Sequence, residues 1–165
     1  MLFADPSDLL VSDARELELF MHITRYTDYS LRVLVYLAVS GDRLVTIQDV
    51  ADSYDISKNH LMKVVHQLNL KGYIETVRGK NGGMRLRRQP SSINIGALVR
   101  DTEPDFNLVE CFSENNQCCI TPVCGLQSIL KEALHAFLAT LDTYTLADVA
   151  RQPQQSQLLR LLQIS

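Results

Sequence analysis

Four cysteines, Cys111, Cys118, Cys119 and Cys124, fall within one short stretch, ECFSENNQCCITPVCGLQ, at positions 110 to 127. Thiols gathered this closely form disulfides, ligate metal, or act as redox-responsive thiolates. A chain of 165 residues buries enough apolar surface to fold without cross-links. It shows no leader-like segment and no apolar run long enough for a bilayer. The expected compartment is the cytoplasm, where structural disulfides are rare. Zinc sites pair their thiolates across two to four residues, whereas six residues separate Cys111 from Cys118 and five separate Cys118 from Cys124. An irregular loop stiffened by Pro122 can wrap a cluster whose iron atoms spread wider than one ion. Cys119, adjacent to Cys118, points in a different direction and is not expected to bind the same group. The spacing alone leaves three readings open: an iron–sulfur cluster, a zinc ion, or a direct thiol switch.

The second chemically loaded stretch is basic. The formal net charge is −3, yet residues 57–88 hold Lys58, Lys63, Lys71, Arg78, Lys80, Arg85, Arg87 and Arg88 against the single acid Glu75, half of the 16 Lys and Arg in the chain. A polyanion meets this local field rather than the average. A charge run is usually a solvated face, but this one coincides with a helix-turn-helix pattern.

The elements that would position these residues follow from periodicity and caps. Thr27 is the expected N-cap of a first helix with Leu31, Leu34, Val35 and Ala38 inward and Gly41 beyond its end. Thr46 and Asp49 form a capping-box variant opening a second helix, with Ile47, Val50, Ala51 and Tyr54 on one face. After a short turn Ser57 caps a third, with Leu61, Val64, Val65 and Leu68 inward until Gly72. In this geometry the start of the third helix faces base edges in the major groove. The candidate contacts are Ser57, Lys58, Asn59 and His60, with Lys63 one turn on; the blander reading is that Ser57 only caps and His60 is merely exposed. Tyr73 to Val77 and Met84 to Leu86 read as a hairpin with Arg78, Lys80 and Asn81 at its tip, the wing of a winged helix. NIGALVRD is a short helix ending before Pro104.

Beyond the cysteines, Leu126, Ile129, Leu130, Ala133, Leu134, Phe137, Leu138 and Leu141 make one wide stripe on a long helix. A winged-helix domain has little need of it. The stripe is expected to pack on its copy in a second subunit, which would place two recognition helices about 34 Å apart; docking on its own domain is the alternative.

The expected fold is mainly α with a small β-hairpin wing: a winged helix-turn-helix domain plus a long C-terminal dimerisation helix. The expected organisation is an acidic, disordered extension over 1–20, the DNA-binding domain over 21–105, the cysteine loop over 106–125, the dimerisation helix over 126–152 and a tail over 153–165. Patterning begins at Met21, where translation is expected to start. His22, His60, His66 and His135 have no motif joining them to a nucleophile, and no acid/base pair marks a catalytic pocket, so an enzyme is not expected.

TDYSLRVLVYLA, ISKNHLMKVVHQL, VRGKNGGMRL, LVEC, ITPVC and YTLADV occur in this order between Met21 and about Arg151. Together they resemble the Rrf2 family of winged-helix regulators, and within it the nitric-oxide-sensitive repressors. The resemblance implies a homodimer that binds operator DNA and holds an iron–sulfur cluster, [4Fe-4S] ahead of [2Fe-2S], with nitric oxide as the signal that releases DNA. It maps three cluster cysteines onto Cys111, Cys118 and Cys124 and leaves Cys119 as a departure. It also implies Asp28, supplied by the partner subunit, as the fourth ligand, although an acid in a first helical turn needs only the helix dipole to explain it. The alternatives are a regulator of the same family that senses cluster supply, and a zinc-stabilised winged-helix DNA-binding protein.

Overall fold

Helix α1 (Arg25–Ser40) starts one turn earlier than Thr27, at an N-cap formed by Thr24. Thr24 Oγ1 accepts the Thr27 amide at 3.2 Å, while Thr27 is itself fully buried in the first turn. What selects Thr24 is tertiary: its amide donates to Glu103 Oε1 at 2.8 Å, across 79 residues of chain. The computed structural model describes residues 22–151 and 153–164, so the readings made for residues 1–20 and for Met21 lie outside the described residues.

Gly41 ends α1 with a φ of 63°. Helix α2 (Ile47–Tyr54) carries the expected capping box: Asp49 N donates to Thr46 Oγ1 at 3.1 Å, and Thr46 N to Asp49 Oδ2 at 2.8 Å. Asp55 turns the chain in the left-handed region, and α3 (Lys58–Leu70) follows with Leu61, Val64, Val65 and Leu68 buried. Its end is a Schellman closure, in which Tyr73 N reaches Leu68 O and Gly72 N reaches Asn69 O.

Strands β1 (Ile74–Val77) and β2 (Gly83–Leu86) pair antiparallel, Ile74 opposite Leu86 and Val77 opposite Gly83. A third, one-residue pairing fastens this wing to the α1–α2 connection. Val45 N donates to Met84 O at 2.9 Å and Met84 N to Val45 O at 2.7 Å. Gly83 permits the approach, since a Cβ there would stand 2.8 Å from Val45 O. Asn94 caps α4 (Ile95–Thr102) by accepting the Ala97 amide.

The long helix α5 (Gly125–Asp142) stops at Asp142 rather than continuing to 152. Thr145 and Asp148 form a second capping box and open α6 (Leu146–Val149). Leu146 is fully buried, and its amide donates to Ile93 O at 2.8 Å. The segment expected to be a tail contains α7 (Gln154–Leu161), which packs against α1; Leu162 is buried, and Ser53 Oγ donates to its carbonyl at 2.9 Å. Apolar side chains of α1 to α4, the wing, α6 and the residue after α7 thus share one core. Sidedness is enforced by depth: Leu34, Leu61, Leu68 and Leu98 are all fully buried there, each contributing about 2–5 kcal/mol relative to alanine. Among the described residues no helix is long and apolar enough to cross a membrane.

Candidate nucleic-acid interface and thiol loop

The first turn of α3 presents Ser57, Lys58, Asn59 and His60 to solvent, with Lys63 exposed one turn later. Ser57 occupies the N-cap position, but its side chain makes no capping bond; its carbonyl instead accepts the His60 and Leu61 amides. The hydroxyl is therefore not consumed by the helix start, and no acid lies in that first turn. At the wing tip Arg78, Lys80 and Asn81 are exposed around a turn that only glycine can make. Gly79 has a φ of 117°, and a Cβ on Gly82 would stand 2.3 Å from Val77 O.

The cations of this stretch divide by role. Arg85 donates to Glu75 across the hairpin at 2.6 Å. Arg88 lies 4.8 Å from the Tyr73 ring centre and donates to Lys71 O. The Tyr73 hydroxyl donates to Asp101 Oδ2 at 2.5 Å, and burial followed by that carboxylate pushes its pKa well above the usual phenol range. These groups hold the base of the wing. None of the ion pairs among the described residues engages Lys58, Lys63, Arg78 or Lys80, which leaves those four facing outward as a field for an anion.

The cysteine segment is shaped by polar side chains rather than by a core. Cys111 lies in a 3₁₀ turn, Glu110–Phe112, and its carbonyl accepts from Gln127 Nε2 at 2.6 Å. Cys118 N donates to Asn116 Oδ1, and Thr121 Oγ1 bonds both Asn116 and the Cys118 carbonyl. A second 3₁₀ turn, Thr121–Val123, delivers Cys124 to the N-cap of α5. All four thiols are unpaired; Cys111, Cys118 and Cys124 are half-buried, and Cys119 is exposed. Among the described residues no three Cys, His, Asp or Glu gather closely enough for a single metal ion. Three half-buried thiols offer sulfur donors of the kind that an iron–sulfur cluster and a zinc ion both take.

Asp28 stands in the first turn of α1. Its carboxylate is held by Arg32 of the next turn, Oδ1 by Nε at 3.0 Å and Oδ2 by a terminal nitrogen at 2.9 Å. The same guanidinium lies 5.8 Å from the Tyr54 ring centre, and burial pushes the Tyr54 hydroxyl up to about 12 against the pull of that cation.

The stripe on α5 is divided. Leu138 and Leu141 pack against the core, and the helix end is clamped: Arg100 bonds both oxygens of Asp142 at 2.7 and 2.6 Å. Asn94 Nδ2 donates to Asp142 O, and a Cβ on Gly96 would stand 2.0 Å from Asp142 Oδ1, so a side chain there would displace the carboxylate from Arg100. The Arg100 bond holds the Asp142 carboxyl below the usual aspartate range. Toward Cys124 the helix is bare, with Leu126 57% and Ile129 62% exposed; Phe137, nearer its end, is 44% exposed, and no residue of α5 is fully buried.

Sequence reasoning did not single out Arg25 or Tyr29, which line a hollow beside His60 and Lys63. The available signal was a cation in a first helical turn, where the dipole disfavours it.

The family model of Rrf2, iron-dependent transcriptional regulators, matches residues 23–152. The chain is 58% identical over 131 residues to the HTH-type transcriptional regulator NsrR of Bacillus licheniformis, covering 78% of this chain and 92% of that one. It is 55% identical over 136 residues to the NsrR of Bacillus subtilis strain 168, covering 81% and 93%. Among solved structures, the oxidized form of CymR from Staphylococcus aureus matches with a TM-score of 0.63 at 26% identity, over 79% of this chain and 97% of that one.

Proposed function

The chain belongs to the Rrf2 family of transcriptional regulators and is a regulator rather than an enzyme, and from that premise we propose that it is a homodimeric repressor that releases operator DNA in response to nitric oxide. Ser57, Lys58, Asn59, His60 and Lys63 enter the major groove, while Arg78, Lys80 and Asn81 of the wing approach the adjacent backbone. Cys111, Cys118 and Cys124 would hold an iron–sulfur cluster, [4Fe-4S] ahead of [2Fe-2S], and Asp28 of the partner subunit would be its fourth ligand, a role for which its carboxylate must be free of Arg32. When bound, the group supplies iron that nitric oxide attacks; the chain supplies the coupling.

The observation that carries this reading is continuity: Cys124 is the N-cap of α5, the helix that leaves Leu126, Ile129 and Phe137 bare. A thiol loop and a subunit contact are therefore one piece of chain. Closing the α5 faces of two copies sets the separation of two recognition helices, and a loop that lets go of its ligand changes how α5 begins. A dimer owes much of its affinity to engaging both half-sites at once, so coupling of about 1–3 kcal/mol lowers affinity some five- to 150-fold.

The test is operator binding by protein purified without air, followed by gel shift before and after nitric oxide, with iron and sulfide assayed in parallel. Brown protein that binds tightly and loosens on nitrosylation is the expected outcome. Equal affinity in both states rejects the switch, and colourless protein containing zinc rejects the cluster.

A further inference from the structure

The last turn of α4 sends side-chain bonds to three other parts of the chain. Arg100 holds both oxygens of Asp142, at the end of α5, at 2.7 and 2.6 Å. Asp101, the next residue, accepts the Tyr73 hydroxyl at 2.5 Å. Glu103, the C-cap, accepts the Thr24 amide at the start of α1. Successive positions on a helix point about 100° apart, so Arg100 and Asp101 reach different neighbours from one piece of backbone. That piece is firmly seated. Leu98, Val99 and Thr102 are buried beneath it, and a helix close-packed on one face shifts as a unit. Tyr73 is placed to pass such a shift on. It directly precedes β1; its amide donates to Leu68 O at the close of α3, and its carbonyl accepts the Arg87 amide just past β2, so it joins α3 to both strands. Its ring is buried, which leaves the hydroxyl as the handle by which α4 orients it.

We infer that this turn of α4 sets the angle at which the wing meets DNA: Asp101 is a positioning residue that holds Tyr73, and Arg100 beside it ties that hold to α5. The inference rests on the DNA-binding reading above and adds to it a route from the arm to the wing, separate from the spacing of two recognition helices. Both side chains act at a distance from the duplex, each being engaged within the protein. The pairing of Val45 with Met84 pins β2, and the rotation left to the hairpin about that pin is what Tyr73 fixes. Each strand is four residues long, so the tip stands about 13 Å from the base. A small rotation at Tyr73 is therefore largest where Arg78 and Lys80 are exposed.

The experiment measures what Lys80 contributes at the wing tip. Binding to an operator duplex is titrated across salt with the full-length, anaerobically purified protein as wild type, Tyr73→Phe and Arg100→Gln, each with and without Lys80→Ala. In the wild-type background Lys80→Ala is expected to flatten the slope of log affinity against log salt by about 0.9. Tyr73→Phe keeps the buried ring and deletes only the hydroxyl. It and Arg100→Gln are each expected to weaken binding by about two- to 30-fold and to shrink the Lys80 increment well below its wild-type size. A merely structural role lowers the melting temperature and the active fraction but leaves that increment whole, and this result overturns the inference. So does an increment that shrinks in Tyr73→Phe alone, since α5 then has no hold on the wing. Wild-type protein that binds no duplex, or in which Lys80 makes no difference, overturns the DNA-binding reading or the wing's part in it and the inference with it, which separates the two failures.

Discussion

The winged-helix body and the cysteine-bearing arm of this chain are built on opposite terms. The body closes on itself: Val33, Leu34, Val45, Val50, Leu61, Leu68, Ile74 and Leu146 are all fully buried, and α1, α2 and α4 start on side-chain caps. The arm, from the Cys111 turn through most of α5, has no fully buried residue, and side-chain hydrogen bonds shape its loop. Burial at about 25 cal/mol per Å² is what holds a fold against chain entropy. A region without it is either marginal or completed by something else. On the proposed reading, the body reads DNA from a fixed scaffold, and the arm is completed by a ligand and a second subunit.

The strongest way to break that contrast is Cys118→Ala. It should abolish bound iron and sulfide in anaerobically prepared protein while leaving the far-ultraviolet circular dichroism of the body intact; Cys119→Ser should retain both. Loss of helicity in the alanine variant would show that the arm holds up the body after all. Next in size is Leu34→Ala, where a cavity at the centre of α1 should lower unfolding free energy by about 2–5 kcal/mol. The readout is denaturant melting with an unchanged slope.

A charge placed on the bare face, Ile129→Asp, should convert a dimer into monomers in analytical ultracentrifugation with little change in the melting of the body. Persistence of the dimer would assign α5 some other role. Thr46→Ala, removing one half of the α2 capping box, should cost about 0.5–2 kcal/mol.

The smallest effect concerns the clamp that joins the two regions. Arg100 depresses the Asp142 carboxyl, so the stabilisation from this pair is fully present above the ordinary aspartate value of ~3.9 and is lost as pH falls through the lower folded value. Both side chains are exposed, which keeps the effect modest. Asp142→Asn should lower the melting temperature slightly at pH 7, by an amount that shrinks as acid protonates the wild-type carboxylate.

Most of the body was legible because its signals are local. Thr46 with Asp49 announces α2, Leu61 to Leu68 give α3 its inward face, and the glycines at 79, 82 and 83 mark the wing turn and its close approaches. Signals that join distant residues were not legible. Glu103 selects Thr24 over Thr27 from 79 positions away, and a single pairing of Val45 with Met84 has no period to detect. The end of α5 was misread although Thr145 and Asp148 spell a capping box, because the apolar spacing runs straight through it. At the site, residue types and the exposure of the basic turns could be anticipated. The hollow at Arg25 could not, since it exists only where α1 crosses α3.

Leu162 fills a place in the same hydrophobic interior as Leu34, and Ser53 grips its carbonyl. The reading head of this molecule is thus finished by residues translated more than a hundred positions later. A ribosome displaying only the first half of the chain displays an incomplete domain, and by the time α7 emerges every cysteine has already left the exit tunnel. A domain whose interior needs Leu162 is thus completed only after Cys111, Cys118, Cys119 and Cys124 have all been made.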